Sequence, residues 1–372
     1  MPFKSYYLTE LLTLKYGKNQ SDVESADGKY PIYGTGGIIG RSTEYLYDKP
    51  SILIGRKGSI EKVRYVEESF WTVDTTFYSI INEELVNPYY LYCLLSLMDL
   101  SQFNEGTSIP SLRAETLYKI KVKIPNLDTQ NKIASLIRTF DEDRALLAHI
   151  NDNLQELMGL LFNHWLDVHD DCLQVYHLYD FSKIIYGAPF SSSLFNQNGN
   201  GYPLIRIRDL KTNSPQFFTE ENHSKLTFVD PGDILIGMDA EFKPYVWIGE
   251  KGVLNQRVCM LKPLDNNICP YLPMLLIRDK LNFIETYKSG TTVSHIGKED
   301  FDRMTINAPP ISEMIKFSRI IDSFYLSYIS NGIEIRRLSS FRDALLPKLM
   351  SGDVDVSSLK LPTKYSFNME KQ

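Results

Sequence analysis

The sequence predicts an α+β protein built from two related globular parts, each followed by a long helix, with the two helices paired. Three observations carry this expectation. A heptad seam runs from Asp128 to Trp165, where Ile133, Phe140, Leu147, Leu154 and Leu161 recur at regular intervals and neither Gly nor Pro appears before Gly159. Such a seam belongs to a helix that lies along another long helix rather than onto a globular core. The seam returns late in the chain, with Phe317 falling on Ile133, Phe324 on Phe140, Asn331 on Leu147, Leu338 on Leu154 and Leu345 on Leu161. Short echoes of the first globular part also recur, in unchanged order, in the second, which is how duplication shows itself in a sequence.

The first globular part, residues 1–125, alternates β-rich runs with glycine turns. Ser51 to Val66 predicts a strand, a tight basic turn and a second strand, and Ser69 to Ile81 a further strand. Asn87 to Leu100 predicts a short apolar helix. The polar GTSIPSL loop at Gly106 and the strand YKIKVKIP then deliver the chain to the first long helix, residues 126–171. Its predicted N-cap is Asp128, just after Pro125; in the second copy Ser312 follows Pro309 and Pro310. Leu136, Ile150 and Leu157 are assigned to the companion seam position, as is His164, and Ile320 and Phe341 to its counterpart in the second helix.

Residues 172–308 repeat the same order. Tyr7 to Lys18 resembles His177 to Ala188, with Gly17 on Gly187. YPIYG at Tyr30 is echoed by YPLIR at Tyr202, DKPSILIG at Asp48 by DPGDILIG at Asp230, and GTSIPSL at Gly106 by GTTVSHI at Gly290. The second long helix, residues 309–356, carries Asn331-Gly332 as an interruption of its seam and meets Pro347 near its end. Residues 357–372 are polar and are expected to form a mobile tail.

Composition narrows the function. The chain has 372 residues, enough for two or more domains, and is 43% hydrophobic and 12% aromatic, an ordinary globular balance. The opening stretch carries Glu10 and does not resemble a secretory signal. Leu85 to Leu100, broken by Asn87, Pro88 and Ser96, is too short to span a bilayer, so no membrane role is expected. Cys93, Cys172, Cys259 and Cys269 lack paired or metal-ligand spacing and suit a reducing cytoplasm. The net charge is −6, yet the excess acid lies in residues 126–171, with three basic against nine acidic residues. The globular parts are nearly balanced, so any phosphate contact must come from local basic clusters there, and the first helix is a poor candidate for lying along DNA.

Catalytic signals are weak. Asn87-Pro88-Tyr89-Tyr90 resembles the Asn-Pro-Pro-aromatic motif of amino-methyltransferases but lacks the second proline, and proline commonly opens a helix. Gly34, Gly36, Gly37 and Gly40 lack the dinucleotide-binding spacing and predict a turn of close backbone approach. His149, His164, His169, His177, His223 and His295 show no metal-ligand spacing. What remains are basic and polar turns in equivalent places. Arg56, Lys57, Lys62 and Arg64 surround the turn at Gly58; Lys243 and Tyr245 occupy the aligned region, and Arg206, Arg208 and Lys211 follow Tyr202. The paired loops add Thr107, Ser108 and Arg113 in the first part and Thr291, Thr292 and Lys298 in the second. Arginine can fork onto guanine and lysine can neutralise phosphate. The competing interpretation is solubilising charge on hairpins.

Variable part, long helix, variable part, long helix: this layout resembles the DNA-specificity subunit of Type I restriction-modification systems. The resemblance covers residues 1 to about 355 and is most specific at Ile124–Ile137, Asn151–Leu166, the Gly55–Gly58 turn before Trp71–Asp74, and Leu345–Val356. It implies that residues 1–125 and 172–308 are target recognition domains, each reading one half of a split double-stranded DNA site. It further implies that the helices pack as an antiparallel coiled coil setting the spacing; roughly 35 helical residues span on the order of 50 Å. Two methyltransferase subunits and restriction/translocase subunits are the implied partners, and S-adenosylmethionine, ATP and Mg2+ are expected on them, with no cofactor in this chain. The acidic run Asp141, Glu142 and Asp143 becomes a candidate docking surface. The alternatives are a stand-alone adenine methyltransferase centred on Asn87–Tyr90 and a coiled-coil scaffold without DNA contact.

Overall fold

In the computed structural model, residues 3–222, 225–288 and 295–359 are described. The chain divides into two units, Met1–Glu142 with Leu338–Gln372, and Asp143–Arg337. Each unit takes one globular part and a portion of each long helix. Among the described residues, no helix is long and apolar enough to cross a membrane.

The first unit opens with β1 (Lys4–Tyr7), the single turn α1 (Leu8–Leu11) and β2 (Leu12–Tyr16), then β3 (Tyr30–Gly34) and β4 (Gly37–Ser42). β5 (Ser51–Gly55), β6 (Val63–Val66), β7 (Trp71–Thr72), β8 (Thr76–Ile81), α2 (Pro88–Ser96), α3 (Ala114–Tyr118) and β9 (Lys121–Ile124) follow. The strands form an antiparallel sheet in the order β2-β8-β5-β6, a sheet β4-β3-β7 in which β3 and β7 are parallel, and the pair β1-β9. β5, SILIG, is buried at every position, as an unbroken apolar run between covered faces must be. Its one polar side chain, Ser51, donates to the Ser79 carbonyl on β8 at 2.8 Å.

The second unit repeats this plan with insertions. It runs β10 (Gln174–His177), β11 (Ser182–Tyr186), β12 (Phe195–Asn196), β13 (Tyr202–Ile205), the short α5 (Ile207–Leu210), β14 (Phe218–Thr219) and β15 (Phe228–Val229). β16 (Ile234–Gly237), β17 (Pro244–Val246), β18 (Gly252–Leu254), β19 (Val258–Pro263), α6 (Tyr271–Lys288), α7 (Lys298–Asp302) and β20 (Thr305–Ala308) complete it. The sheets β11-β19-β16-β17 and β10-β20 copy β2-β8-β5-β6 and β1-β9, and the parallel pair β13/β18 copies β3/β7. The echoed glycines show why those positions stay bare. A Cβ on Gly17 would sit 2.1 Å from the Val73 carbonyl oxygen, and one on Gly187 2.1 Å from that of Asn255, so in both copies backbone occupies the space of a side chain.

The long helices are α4 (Leu127–Val168) and α8 (Ile311–Ser351). Asn126, not Asp128, caps α4, its Oδ1 accepting from the Thr129 N–H at 3.0 Å. Within the second unit Trp165 stacks on Phe317 with centroids 4.6 Å apart, and Asn331 donates to Asn151 at 2.9 Å; later residues of α4 therefore lie opposite earlier residues of α8. Within the first unit Ile133 and Ile137 share a core with Leu346 and Leu349, and Arg342 pairs with Asp141 at 2.9 Å. The pairing is an antiparallel coiled coil in both units. The predicted seam residues face inward: Ile133 and Phe317 are buried, and Phe140, Leu147, Leu154, Leu161, Phe324, Leu338 and Leu345 are half-buried.

The companion positions are corrected by one residue. Ile137, Arg144, Asn151, Met158 and Trp165 fill them on α4, and Ile321, Tyr328, Ile335, Arg342 and Leu349 on α8. Ile320 and Phe341 are instead 54% and 61% exposed, Ile150, Leu157 and His164 are also exposed, and Leu136 is half-buried. Two features of α8 are now defined. Asn331-Gly332 interrupts the apolar seam, as expected, but without breaking the helix: Asn331 makes a polar layer with Asn151, and bare Gly332 lets Ile248 approach to 2.7 Å of where a Cβ would stand. The helix also runs through Pro347 to Ser351, where Gly352 turns left-handed (φ 85°), and Val356 returns to the core. Of the predicted tail, residues 360–372 lie outside the described residues.

Candidate nucleic-acid interface

In the first unit the basic turn and the polar loop, distant in sequence, meet. The Gly58 N–H donates to the Pro110 carbonyl at 3.0 Å, the Leu112 N–H to the Arg56 carbonyl at 2.9 Å, and Lys57 bridges Ser111. Asn104 organises the loop, its Oδ1 accepting from the Gly106 and Ser111 N–H groups at 2.9 and 2.8 Å. Thr107 and Ser108 are exposed on it. Arg113 is solvent-facing and pairs with Glu105 at 3.0 Å. Arg56 is the anchored member: it donates to the Asp74 carbonyl at 2.7 Å and lies over the Tyr16 ring. Lys57, Lys62 and Arg64 are exposed. Lys62 and Arg64 line a recess with Gly34, Thr35, Glu61 and Thr76. Arg64 also lies over Tyr33, whose phenol burial and a hydrogen bond to Glu68 push up to about 12. The aromatic supports Tyr16 and Tyr33 were not legible as partners from spacing.

The second unit builds the same corner from different chemistry. Asp239, in the turn after β16, bridges His295, as Lys57 after β5 bridges Ser111. Here the bridge is reinforced by side chains: His295 Nδ1 stands 2.7 Å from Asp239, and Arg257 Nε is 3.6 Å from the same carboxylate. Lys288 donates to the His295 carbonyl at 2.8 Å and pairs with Asp300 at 2.7 Å. Burial works upward on the Asp300 carboxyl, but the Gly297 N–H and Lys288 outweigh it and hold it below the usual carboxylate range. Of this cluster the sequence pointed only to His295, as a histidine without metal-ligand spacing; its members are up to 61 positions apart, from Asp239 to Asp300.

The sequence candidates of this unit separate into two kinds. Arg206 is structural in character: its side chain is 16% exposed, bonded to buried Asp209 at 3.2 Å and stacked on Phe217 at 4.3 Å. Arg208 and Lys211 are exposed, and Ile207 of the same helix packs against Gly237, which brings α5 to the end of β16. Lys243 is exposed and pairs with Glu241 at 3.0 Å; Tyr245 is half-buried, and burial raises its phenol. Register places Tyr245 opposite Leu235 and Arg64 opposite Leu53, so the two occupy equivalent strand positions. Lys298 is exposed at the start of α7. Thr291 and Thr292 lie outside the described residues.

The catalytic alternative finds its groups already engaged. Asn87 caps α2 by accepting from the Tyr90 N–H at 2.9 Å, and its amide donates to Asn131 at 2.9 Å. Tyr89 donates to Asp141 at 2.5 Å, and Tyr90 is fully buried. The motif is the joint between α2 and α4, not a cradle for a base. The glycine-dense stretch is the β3–β4 hairpin. Among the described residues no group of His, Cys, Asp and Glu could hold a metal ion. The four cysteines are free, and burial pushes the Cys93 and Cys269 thiols up to about 12. The acidic run on α4 is also partly engaged: Asp141 holds Arg342 and Tyr89, and Glu142 holds Arg138 at 2.7 Å.

Comparison with known proteins agrees with this duplication. The family model of the Type I restriction modification DNA specificity domain matches twice, over residues 2–156 and 172–335. The Type I restriction enzyme EcoBI specificity subunit of Escherichia coli is 28% identical over 207 residues, 54% of this chain and 43% of that protein. The MjaIX specificity subunit of Methanocaldococcus jannaschii is 24% identical over 363 residues, 84% of this chain and 80% of that one. In fold, the S subunit of a Type-I restriction-modification system from M. genitalium superposes with a TM-score of 0.66 at 16% identity, covering 94% of this chain and 96% of that one. With two matched copies across most of its length, the chain belongs to the Type I restriction-modification DNA specificity family.

Proposed function

We propose that the chain is the sequence-specific DNA-binding subunit of a Type I restriction-modification complex. Residues 1–125 and 172–308 each act as a target recognition domain for one half of a bipartite double-stranded site. The observation that carries this is the repeated corner: in both copies the turn after an equivalent buried strand is bridged to the loop before α3 or α7. Exposed cations lie on or beside it, Lys57, Lys62 and Arg64 in one copy; in the other, Lys298 opens α7, and exposed Arg208 and Lys211 lie on and just after α5, the helix that reaches the end of β16. Mobile phosphate-binding side chains on a rigid, backbone-bridged turn combine affinity with a fixed orientation.

The helices act as the spacer between the two readers. α4 has 42 residues, about 63 Å at ~1.5 Å per residue, on the order of two turns of duplex. Its outward face supports a docking role for two methyltransferase subunits. Leu146, Ile150, Leu157 and Leu160 are exposed at helical spacing, a second apolar stripe beside Asp143, Asp152 and Glu156. S-adenosylmethionine, ATP and Mg2+ belong, in this proposal, to the methyltransferase and restriction/translocase subunits. Selection from a random duplex library with the chain and its methyltransferase subunits tests the whole. Two separated half-sites, bound with an affinity that falls steeply with salt, are expected; salt-independent recovery of unselected sequence would favour the scaffold alternative.

A further inference from the structure

The two units share a scaffold and part company after one strand. Beyond β13 the second unit enters α5, whereas beyond β3 the first unit turns straight back as β4. β4 is the edge of the sheet β4-β3-β7: the Val23–Ser25 segment bonds its far end at Arg41–Thr43, and among the described residues no strand pairs with the outer side of its first half. Along it Tyr33 pairs with Ile38 and Ile32 with Gly40, which leaves Ile39 as the extra residue of a bulge. A bulge re-aims side chains, and here it leaves two consecutive isoleucines, Ile38 and Ile39, 61% and 54% exposed. Edge strands are ordinarily blunted by charge or proline; an apolar pair at this edge opposes that rule and marks a contact surface.

The tip carries little bulk. A Cβ at Gly36 would meet nothing within 4 Å, and Gly37 has φ 135°, a conformation open to glycine. Cations outnumber acid beside it: Arg64 Nη2 comes within 3.2 Å of the Gly37 Cβ position, and Gly34 and Thr35 share a recess with Lys62 and Arg64 and the single carboxylate Glu61. A narrow, apolar ribbon tip with positive charge at its side matches the major groove of duplex DNA. That groove is about 12 Å wide, admits a two-stranded ribbon, and presents the thymine C5-methyl between lines of phosphate. We propose that the β3–β4 ribbon of the first unit enters the major groove, where Ile38 and Ile39 contact thymine methyl groups of its half-site while Lys62 and Arg64 meet flanking phosphates. This rests on the DNA-reading function proposed above and names the element and the base feature that it reads.

The test uses the full chain carrying Ile38→Ala with Ile39→Ala, assembled with its methyltransferase subunits, alongside Ile38→Val with Ile39→Val. Both side chains face solvent, so unchanged melting and assembly are expected of both variants. Methylation mapping should show one half of the bipartite motif degenerate at a T·A position in the alanine variant, with the other half intact, and the valine variant should keep both. Replacing that thymine by uracil in a duplex should weaken binding of the parent complex about three- to five-fold, the worth of one buried methyl, and leave the alanine variant unaffected. An intact motif in the alanine variant, an equal uracil penalty in parent and variant, or failure of the variant to assemble, which would make the ribbon a protein contact, overturns the assignment. In each case the parent complex would still methylate a bipartite motif; absence of that motif in the parent defeats the underlying function instead.

Discussion

Lengthening both long helices by one heptad tests their role as a spacer. The boundary between the units falls after Glu142 in α4 and after Arg337 in α8, so insertions at these two points leave the packing inside each unit untouched. Arg336, paired with Glu250 at 3.2 Å, stays on one side, and Asp141, paired with Arg342, on the other. Seven residues at ~1.5 Å add about 10 Å, or roughly three base pairs at ~3.4 Å each. A heptad preserves the phase of the seam, whereas three base pairs turn the duplex by roughly 100° at ~10.5 base pairs per turn. The expected outcome is a methylated motif with unchanged half-sites, a gap lengthened by up to about three base pairs, and weaker binding from the twist that DNA must absorb. An insertion in α4 alone should instead break the seam and the assembly. Unchanged spacing in the doubly lengthened chain, with both half-sites still read, would refute the spacer role.

Three further outcomes follow from the packing. Gly17→Ala and Gly187→Ala place a Cβ 2.1 Å from a carbonyl oxygen and should each cost about 2–3 kcal/mol or prevent folding, which denaturant titration measures; an effect at one site but not the other would contradict their equivalence. Asp141→Asn removes the anionic partner of Arg342, whose side chain is 14% exposed; about 2 kcal/mol is expected, less than the ~3–5 of a fully buried pair, read as a lower melting temperature. In the Asn151–Asn331 layer, a single Asn151→Leu change strands a half-buried amide and should destabilise by about 1–3 kcal/mol. The double change to leucine should restore or exceed the parent stability, because a polar seam layer secures register at a cost in stability.

Much of the fold was legible because duplication and a heptad seam are sequence-level patterns. Every echoed segment that lies among the described residues occupies equivalent structure, Tyr30 on β3 with Tyr202 on β13, Ser51–Gly55 on β5 with Ile234–Gly237 on β16. The seam slipped by one residue at its companion positions for a definable reason. Arg144 and Asn151 sit where apolar residues were sought, while Ile150 and Leu157, apolar but outward, lie one residue earlier or one residue before Met158. Polar seam residues hold partners inside the fold, and the outward apolar residues form a second stripe; a hydrophobicity pattern alone cannot separate the two. The candidate site was half-legible. Clustered cations after β5 were visible as a run, but the bridge from Lys57 to Ser111 and the Asp239–His295–Arg257 cluster join distant segments through the fold. Arg206 shows the converse, a basic residue that the fold spends on Asp209 and Phe217.

The central claim, that two duplicated readers on one chain confer a split DNA specificity, is tested most directly by mapping adenine methylation across a genome. The same methyltransferase subunits would be expressed with this chain, without it, and with residues 172–308 replaced by the corresponding segment of a relative. The account predicts a bipartite motif that appears only with the chain and exchanges one half, and one half alone, in the replacement. A motif that persists without the chain, or one that changes in both halves when a single unit is exchanged, would contradict it.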